Sequence, residues 1–142
     1  MSETTTPDAR QRNLEAQERL GEILASGDLD RLAEVFAADV VDHDPAPDQA
    51  PGVAGIIDFW KTFTTAFPDL EVTPRVVSAD DEHVTAVLEI VGTHRGDFLG
   101  HAATDTRISA RGIQVGRFED GRLVERWGAS DELGILQQIG AL

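Results

Sequence analysis

The chain has 142 residues, 41% of them hydrophobic, which suits one domain with one core and is too apolar for a disordered segment. It carries 26 acidic against 12 basic residues, a net charge of −14, so its surface repels phosphate backbones and anionic membranes and argues against nucleic-acid or membrane partners. There is no cysteine, which excludes disulfides, thiolate metal sites and cysteine nucleophiles.

No apolar run approaches the ~18 residues that span a bilayer. The N-terminus MSETTTPDAR has no basic n-region and no apolar h-region, so residues 1–7 read as a frayed tail on a cytoplasmic protein. Pro7 and Asp8 suit the start of a helix. Leu14, Leu20, Ile23 and Leu24 recur at helical spacing up to Gly27, a C-terminal stop. Asp28 suits the cap of a second, short helix carrying Leu29, Leu32, Val35 and Phe36. The stretch VVDHDPAPDQAPG follows. Its prolines at 45, 47 and 51 forbid regular structure, so it reads as an ordered loop or a lid.

A third helix is predicted from about Val53 to Phe67, with Ile56, Trp60, Phe63 and Phe67 on one apolar stripe, ended by Pro68-Asp69. The period then changes to two. Val72 to Val77 reads as a strand that Pro74 sends to a sheet edge. Asp80-Asp81-Glu82 is a turn. Val84 to His94, Thr106 to Phe118 and Leu123 to Gly128 are further strands, and Glu132 to Ile139 closes the chain as a helix. Helices first and a strand meander later predict one α+β domain, residues 1–142, with antiparallel pairing.

Several pieces taken together resemble a known family. They are Phe67-Pro68-Asp69-Leu70, Gly92-Thr93-His94-Arg95-Gly96 with Phe98 and Gly100, Thr104-Asp105, and the strand-turn-strand-helix segment from Arg117 to Gly140. In this order they resemble the SnoaL-like polyketide cyclases of the nuclear-transport-factor-2-like superfamily, over most of the chain from about Leu14. The resemblance implies a cone-shaped α+β barrel, with three main helices packed on a curved antiparallel sheet of four or more strands around a mostly apolar pocket. It implies a homodimer through the outer sheet face. It also implies an intramolecular aldol condensation of a small molecule without cofactor or metal, driven by an aspartate as general acid/base. The family pattern reads like EHWD, whereas this chain has Glu125-Arg126-Trp127-Gly128. The matching histidine position holds Gln114.

The hairpin tests which face these positions share. A two-residue Asp120-Gly121 loop would set Gln114 opposite Trp127. A three-residue loop, Glu119-Asp120-Gly121, puts Gln114, Arg126 and Gly128 on one face, and the resemblance places that face in the pocket, so the longer loop is expected.

With Gly128 in the aspartate position, the acid/base candidates are Asp131, His94 and His43. Asp131 follows Gly128 closely and equally suits the cap of the last helix. His94 ends a strand on the same face as Val84, Ala86, Leu88 and Ile90, and imidazole titrates near neutrality. His43 lies between Asp42 and Asp44, and an adjacent acid could orient its ring. Candidate ligand contacts are Trp60, Gln114, Arg126 and Trp127. Arg126 would point inward and need an anion, either Glu89 or a ligand carboxylate. No HxH or HExxH spacing marks a metal site, and no phosphate-binding or dinucleotide motif occurs. The rival reading is a non-catalytic binding domain for a small molecule or a partner, consistent with Gly128 and Gln114.

Overall fold

The computed structural model describes residues 8–142. Helix α1 (Ala9–Ser26) begins where Asp8 accepts a hydrogen bond from the Gln11 amide at 2.8 Å, and ends at Gly27 with φ of 77°. The expectations for Pro7 and the tail fall outside the described residues.

The second predicted helix forms only a 3₁₀ turn, Leu29–Glu34, and Asp28 makes no capping hydrogen bond. Val35 and Phe36 do not belong to it. Phe36 opens a strand, β1 (Phe36–Asp42), that the sequence reading assigned partly to helix and partly to loop. The physical reason is alternation: Val40 is buried and Val41 is exposed, a two-residue period hidden beside the proline run.

Helix α2 spans Gly52–Ala66. It is followed by β2 (Glu71–Ala79), β3 (His83–Thr93), β4 (Arg107–Glu119), β5 (Arg122–Ser130) and α3 (Glu132–Gln138). The five strands form one sheet in the order β1-β5-β4-β3-β2. β2 is the edge strand its proline predicts, with a register break between Pro74 and Val76. All neighbours pair antiparallel except β1, which runs parallel to β5.

The β4–β5 hairpin corrects the expected turn. Its loop is the two-residue Asp120-Gly121, with φ of 50° and 76°, and Phe118 faces Leu123. The register then breaks between Arg117 and Phe118, so Arg117 faces Glu125 and Gln114 faces Gly128. A bulge at Val124 restores the face arrangement that the longer loop would have given. Gln114, Arg126 and Gly128 therefore do share a face.

That inner face carries Val84, Ala86 and Ile90 of β3 and Ile108, Ala110 and Phe118 of β4, all buried. Two apolar clusters lie on it. One joins α1, the 3₁₀ turn and β1 through Leu20, Ile23, Leu32, Phe36 and Leu123. The other joins the end of α2 to α3 through Phe67, Phe98, Ile108, Ile135 and Ile139. Phe67 is fully buried, and it lies so close to Gly92 that a Cβ there would stand 3.1 Å from the Phe67 Cβ.

The α2–β2 connection is tied to the end of β3 by Asp69. Its carboxylate accepts from the Thr93 amide and the Thr93 hydroxyl, each at 2.7 Å. The Thr93 side-chain bond, then the backbone bond, hold the Asp69 carboxyl below its ordinary range. A depressed folded-state value gives stability that is present above the unfolded carboxylate range and lost as pH falls through the folded value. Thr93→Val should therefore cost roughly 1 kcal/mol at neutral pH, after allowance for exposure. The gap to the parent protein in urea melts should narrow on acidification; a gap independent of pH would disprove the coupling.

Candidate active site

Between the two apolar clusters lies a cavity of about 500 Å³. One wall is aromatic: Phe59, Trp60 and Phe63 of α2, with Ile56 beside them. Trp60 meets Phe59 and Phe63 edge-on, with ring centroids 5.5 and 5.9 Å apart, which fixes its indole as part of the wall. Leu88 and Ile90 of β3 contribute from the sheet, and Pro45, Ala46 and Pro47 form part of the rim.

The opposite wall is polar and centres on Arg126. Its Nη1 donates to Asp42 Oδ1 at 2.6 Å, and its Nε donates to Gln114 Oε1 at 3.3 Å. The side chains are 18% and 9% exposed for Arg126 and Asp42, so the pair is largely withdrawn from water. Asp42 is further saturated by the Asp44 amide at 3.0 Å and by Gln49 Nε2 at 2.9 Å. Such multiple donation is what a carboxylate needs to remain in a poorly solvated place. Of the two anions expected from sequence, Glu89 is elsewhere and takes Arg75 Nε at 2.7 Å instead. Asp42 ends a strand whose sequence resembles a loop, so no local signal marks it as the partner of Arg126.

Gly128 explains how the guanidinium fits. A Cβ at this position would overlap Arg126 Nη2, so the missing side chain is the space the arginine occupies. The Gly128 amide is not idle: it donates to Asp44 Oδ2 at 2.8 Å. Asp42, Asp44, Gln114, Arg126 and Gly128 all line the cavity.

Four of the residues singled out from sequence lie away from it. His94 is fully buried beside Phe67, with ring centroids 5.7 Å apart and its Nδ1 2.9 Å from Thr104 Oγ1. Its strand face is the predicted one, but the chain end is covered by residues 104–106, whose backbone pairs with it. His94 Nε2 has no hydrogen-bond partner among the described residues. Asp131 caps α3 by accepting from the Gly134 amide at 2.9 Å, and it does not reach the cavity. His43 and Trp127 point to the outer face, because Asp42 pairs with Arg126 and their chain neighbours must alternate outward. There the two rings stack, 4.7 Å apart and 9° from parallel.

The stack extends into a charged network. His43 Nε2 lies 2.7 Å from Glu125 Oε2, and Arg117 Nε donates to Glu125 Oε1 at 2.6 Å. The His43 hydrogen bond, followed by that of Arg117, holds the Glu125 carboxyl below its ordinary range. Among the described residues no group of three or more histidines or carboxylates is arranged to hold a metal ion. None of their helices is long and apolar enough to cross a membrane.

A helical wall on a curved sheet, enclosing a cavity with an aromatic side and a polar side, defines the class: a cone-shaped α+β protein with a small-molecule chamber. The chain belongs to the SnoaL-like polyketide cyclase family, whose model matches residues 14–139. No curated protein sequence matches it. Among solved structures it is similar to IdmH of Streptomyces antibioticus, a candidate polyketide cyclase, at 29% identity and TM-score 0.79, covering 90% of this chain and 98% of that one. It is similar to AclR of Streptomyces galilaeus, a candidate hydroxylase, at 26% identity and TM-score 0.77, covering 92% and 98%. TsrD of Streptomyces laurentii shares the fold at TM-score 0.84 and 24% identity, covering 92% and 96%.

Removing one member of the Asp42–Arg126 pair leaves an uncompensated buried charge. Arg126→Met should cost about 3–5 kcal/mol in urea unfolding, and the Asp42→Asn/Arg126→Gln double variant distinctly less. Equal losses in both would show that the pair carries no coupling.

Proposed function

We propose that the protein is a cofactor-independent enzyme that transfers protons on a small apolar or polyketide-like molecule held in the cone cavity. The observation that carries this reading is the division of the cavity into an aromatic wall and a wall of Asp42, Asp44, Gln114 and Arg126. An apolar ring system would lie against Trp60 and Phe63, and its oxygen substituents would face the polar wall. The candidate cyclase and hydroxylase activities of the relatives fit such a chamber, and isomerisation or hydrolysis would use the same groups. Neither His94, Asp131 nor His43 lines the cavity, so the proton carrier is sought among the carboxylates that do.

A second reading is a non-catalytic binding domain in the same cytoplasmic setting. Gly128 and Gln114, which cannot titrate, favour it.

The test is binding. Trp127→Phe leaves Trp60 as the single indole, because the chain has two tryptophans. Titration with 2-tetralone should quench its emission, and Phe63→Ala should weaken the affinity roughly tenfold through the lost aromatic contact. An unaltered spectrum at saturating ketone would remove the chamber reading.

We also propose a homodimer through the outer sheet face. Val76, Val87 and Ile113 stand in one cross-strand row there, with Val76 60% and Ile113 46% exposed, beside Val115 and the Trp127–His43 stack. An apolar row of this kind is costly in water and suits a second copy of itself. Ile113→Glu should convert the dimer into a monomer in sedimentation equilibrium; a parent protein already monomeric at high concentration would refute the assembly.

A further inference from the structure

We propose that Asp44 is the proton-carrying residue of this cavity and that Arg126 Nη2 is the donor that receives the substrate oxygen. The inference rests on the acid/base reading above and assigns it to particular atoms. Four carboxylates line the cavity: Asp42, Asp44, Asp97 and Glu132. Asp42 is occupied by Arg126, Gln49 and the Asp44 amide. Among the described residues Asp97 and Glu132 accept no hydrogen bond that would fix their direction. Asp44 differs from all three. One of its oxygens, Oδ2, is anchored 2.8 Å from the Gly128 amide, and its other oxygen is left unengaged among the described residues. It is thus oriented yet available, which is what a general base requires.

The donor stands on the same few atoms of backbone. Arg126 uses Nη1 for Asp42 and Nε for Gln114, while Nη2 lies over Gly128 in the space a side chain would fill. An oriented acceptor, exposed at the mouth, and a fixed cationic donor therefore flank one glycine at the edge of a mostly apolar chamber. This arrangement suits a ketone with an acidic neighbouring C–H.

The step balances without a co-reactant. Asp44 takes the proton from the carbon beside the carbonyl. The C–H electron pair becomes the C=C bond of an enolate, and the carbonyl π pair moves to oxygen, where Arg126 Nη2 donates to it. Return of the proton from Asp44 to carbon restores a neutral ketone and an ionised carboxylate. Arg126 keeps its protons throughout.

The probe is 2-tetralone in D₂O, with loss of its C1 proton signals followed by NMR and binding followed in parallel by Trp60 fluorescence. The protein should accelerate exchange. Asp44→Asn keeps an oxygen to accept from Gly128 but cannot take a proton, so it should bind the ketone unchanged and exchange it at least about 100-fold more slowly. If Asp44→Asn exchanges at the parent rate, the assignment is overturned while the acid/base reading stands. If the parent binds tetralone without exchanging it, both fall and the binding-domain reading takes their place. If tetralone does not bind, the chamber reading itself fails and takes the assignment with it.

Discussion

Asp42 and Arg126 meet because β1 lies parallel beside β5 with these two residues in register. The pair is more a constraint than a source of stability. Withdrawing both charges from water costs nearly as much as their attraction returns, so the net gain from such a pair is small. The cost of breaking it is large. A one-residue slip of β5 would turn Arg126 to the outer face and leave Asp42 uncompensated, so the pair penalises wrong registers and selects the observed one. The bulge at Val124 belongs to the same logic. The two-residue Asp120-Gly121 turn, left to itself, would set Gln114 opposite Trp127; the extra residue brings Gly128 there and Arg126 inward.

The polar wall follows from that register. Once Arg126 is inside, its guanidinium needs room, and Gly128 supplies it where any side chain would collide. A side chain at position 128 would require the Arg126 guanidinium to shift, and glycine lets it stay where it meets Asp42. The amide that Gly128 still presents then finds its acceptor in Asp44, on the loop after β1.

Much of this was legible in the sequence, and the losses have physical causes. The period-3.6 stripe of α2 and the long alternations of β3 and β4 are strong signals, and all three elements lie within a residue of their predicted ends. Pro74 correctly marked an edge. β1 has too little alternation to outweigh a loop reading, because it is seven residues long, carries two acids and lies beside three prolines. That loss had consequences: Asp42, the partner of Arg126, could not be named. Shared family pattern also misdirected attention to Trp127, whose parity beside Arg126 requires the opposite face. His94 has the predicted face, but the covering backbone of residues 104–106 is a long-range contact that no local pattern reveals.

The segment Asp42-His43-Asp44 shows why alternation is the more useful guide to the site. A histidine between two acids invites a reading in which the acids orient the ring. Here they do not: Asp42 accepts from Arg126, the chain bends at His43 and Asp44, and Asp44 accepts from the Gly128 amide. The acids serve the cavity and the histidine serves the outer face, where Trp127 stacks on it and Glu125 binds its Nε2. The His43 amide also donates to the Arg126 carbonyl at 3.0 Å, extending the β1–β5 ladder one residue past the strand. His43 is thereby held on both sides, by backbone pairing and by its ring. Asp44, the next residue, starts from a fixed point although it lies in an exposed loop. An anchored neighbour lowers the entropy lost when Asp44 reaches the Gly128 amide. The outer stack and the inner carboxylate are in this way two ends of one short piece of backbone, and the rigidity of the first supplies the placement of the second.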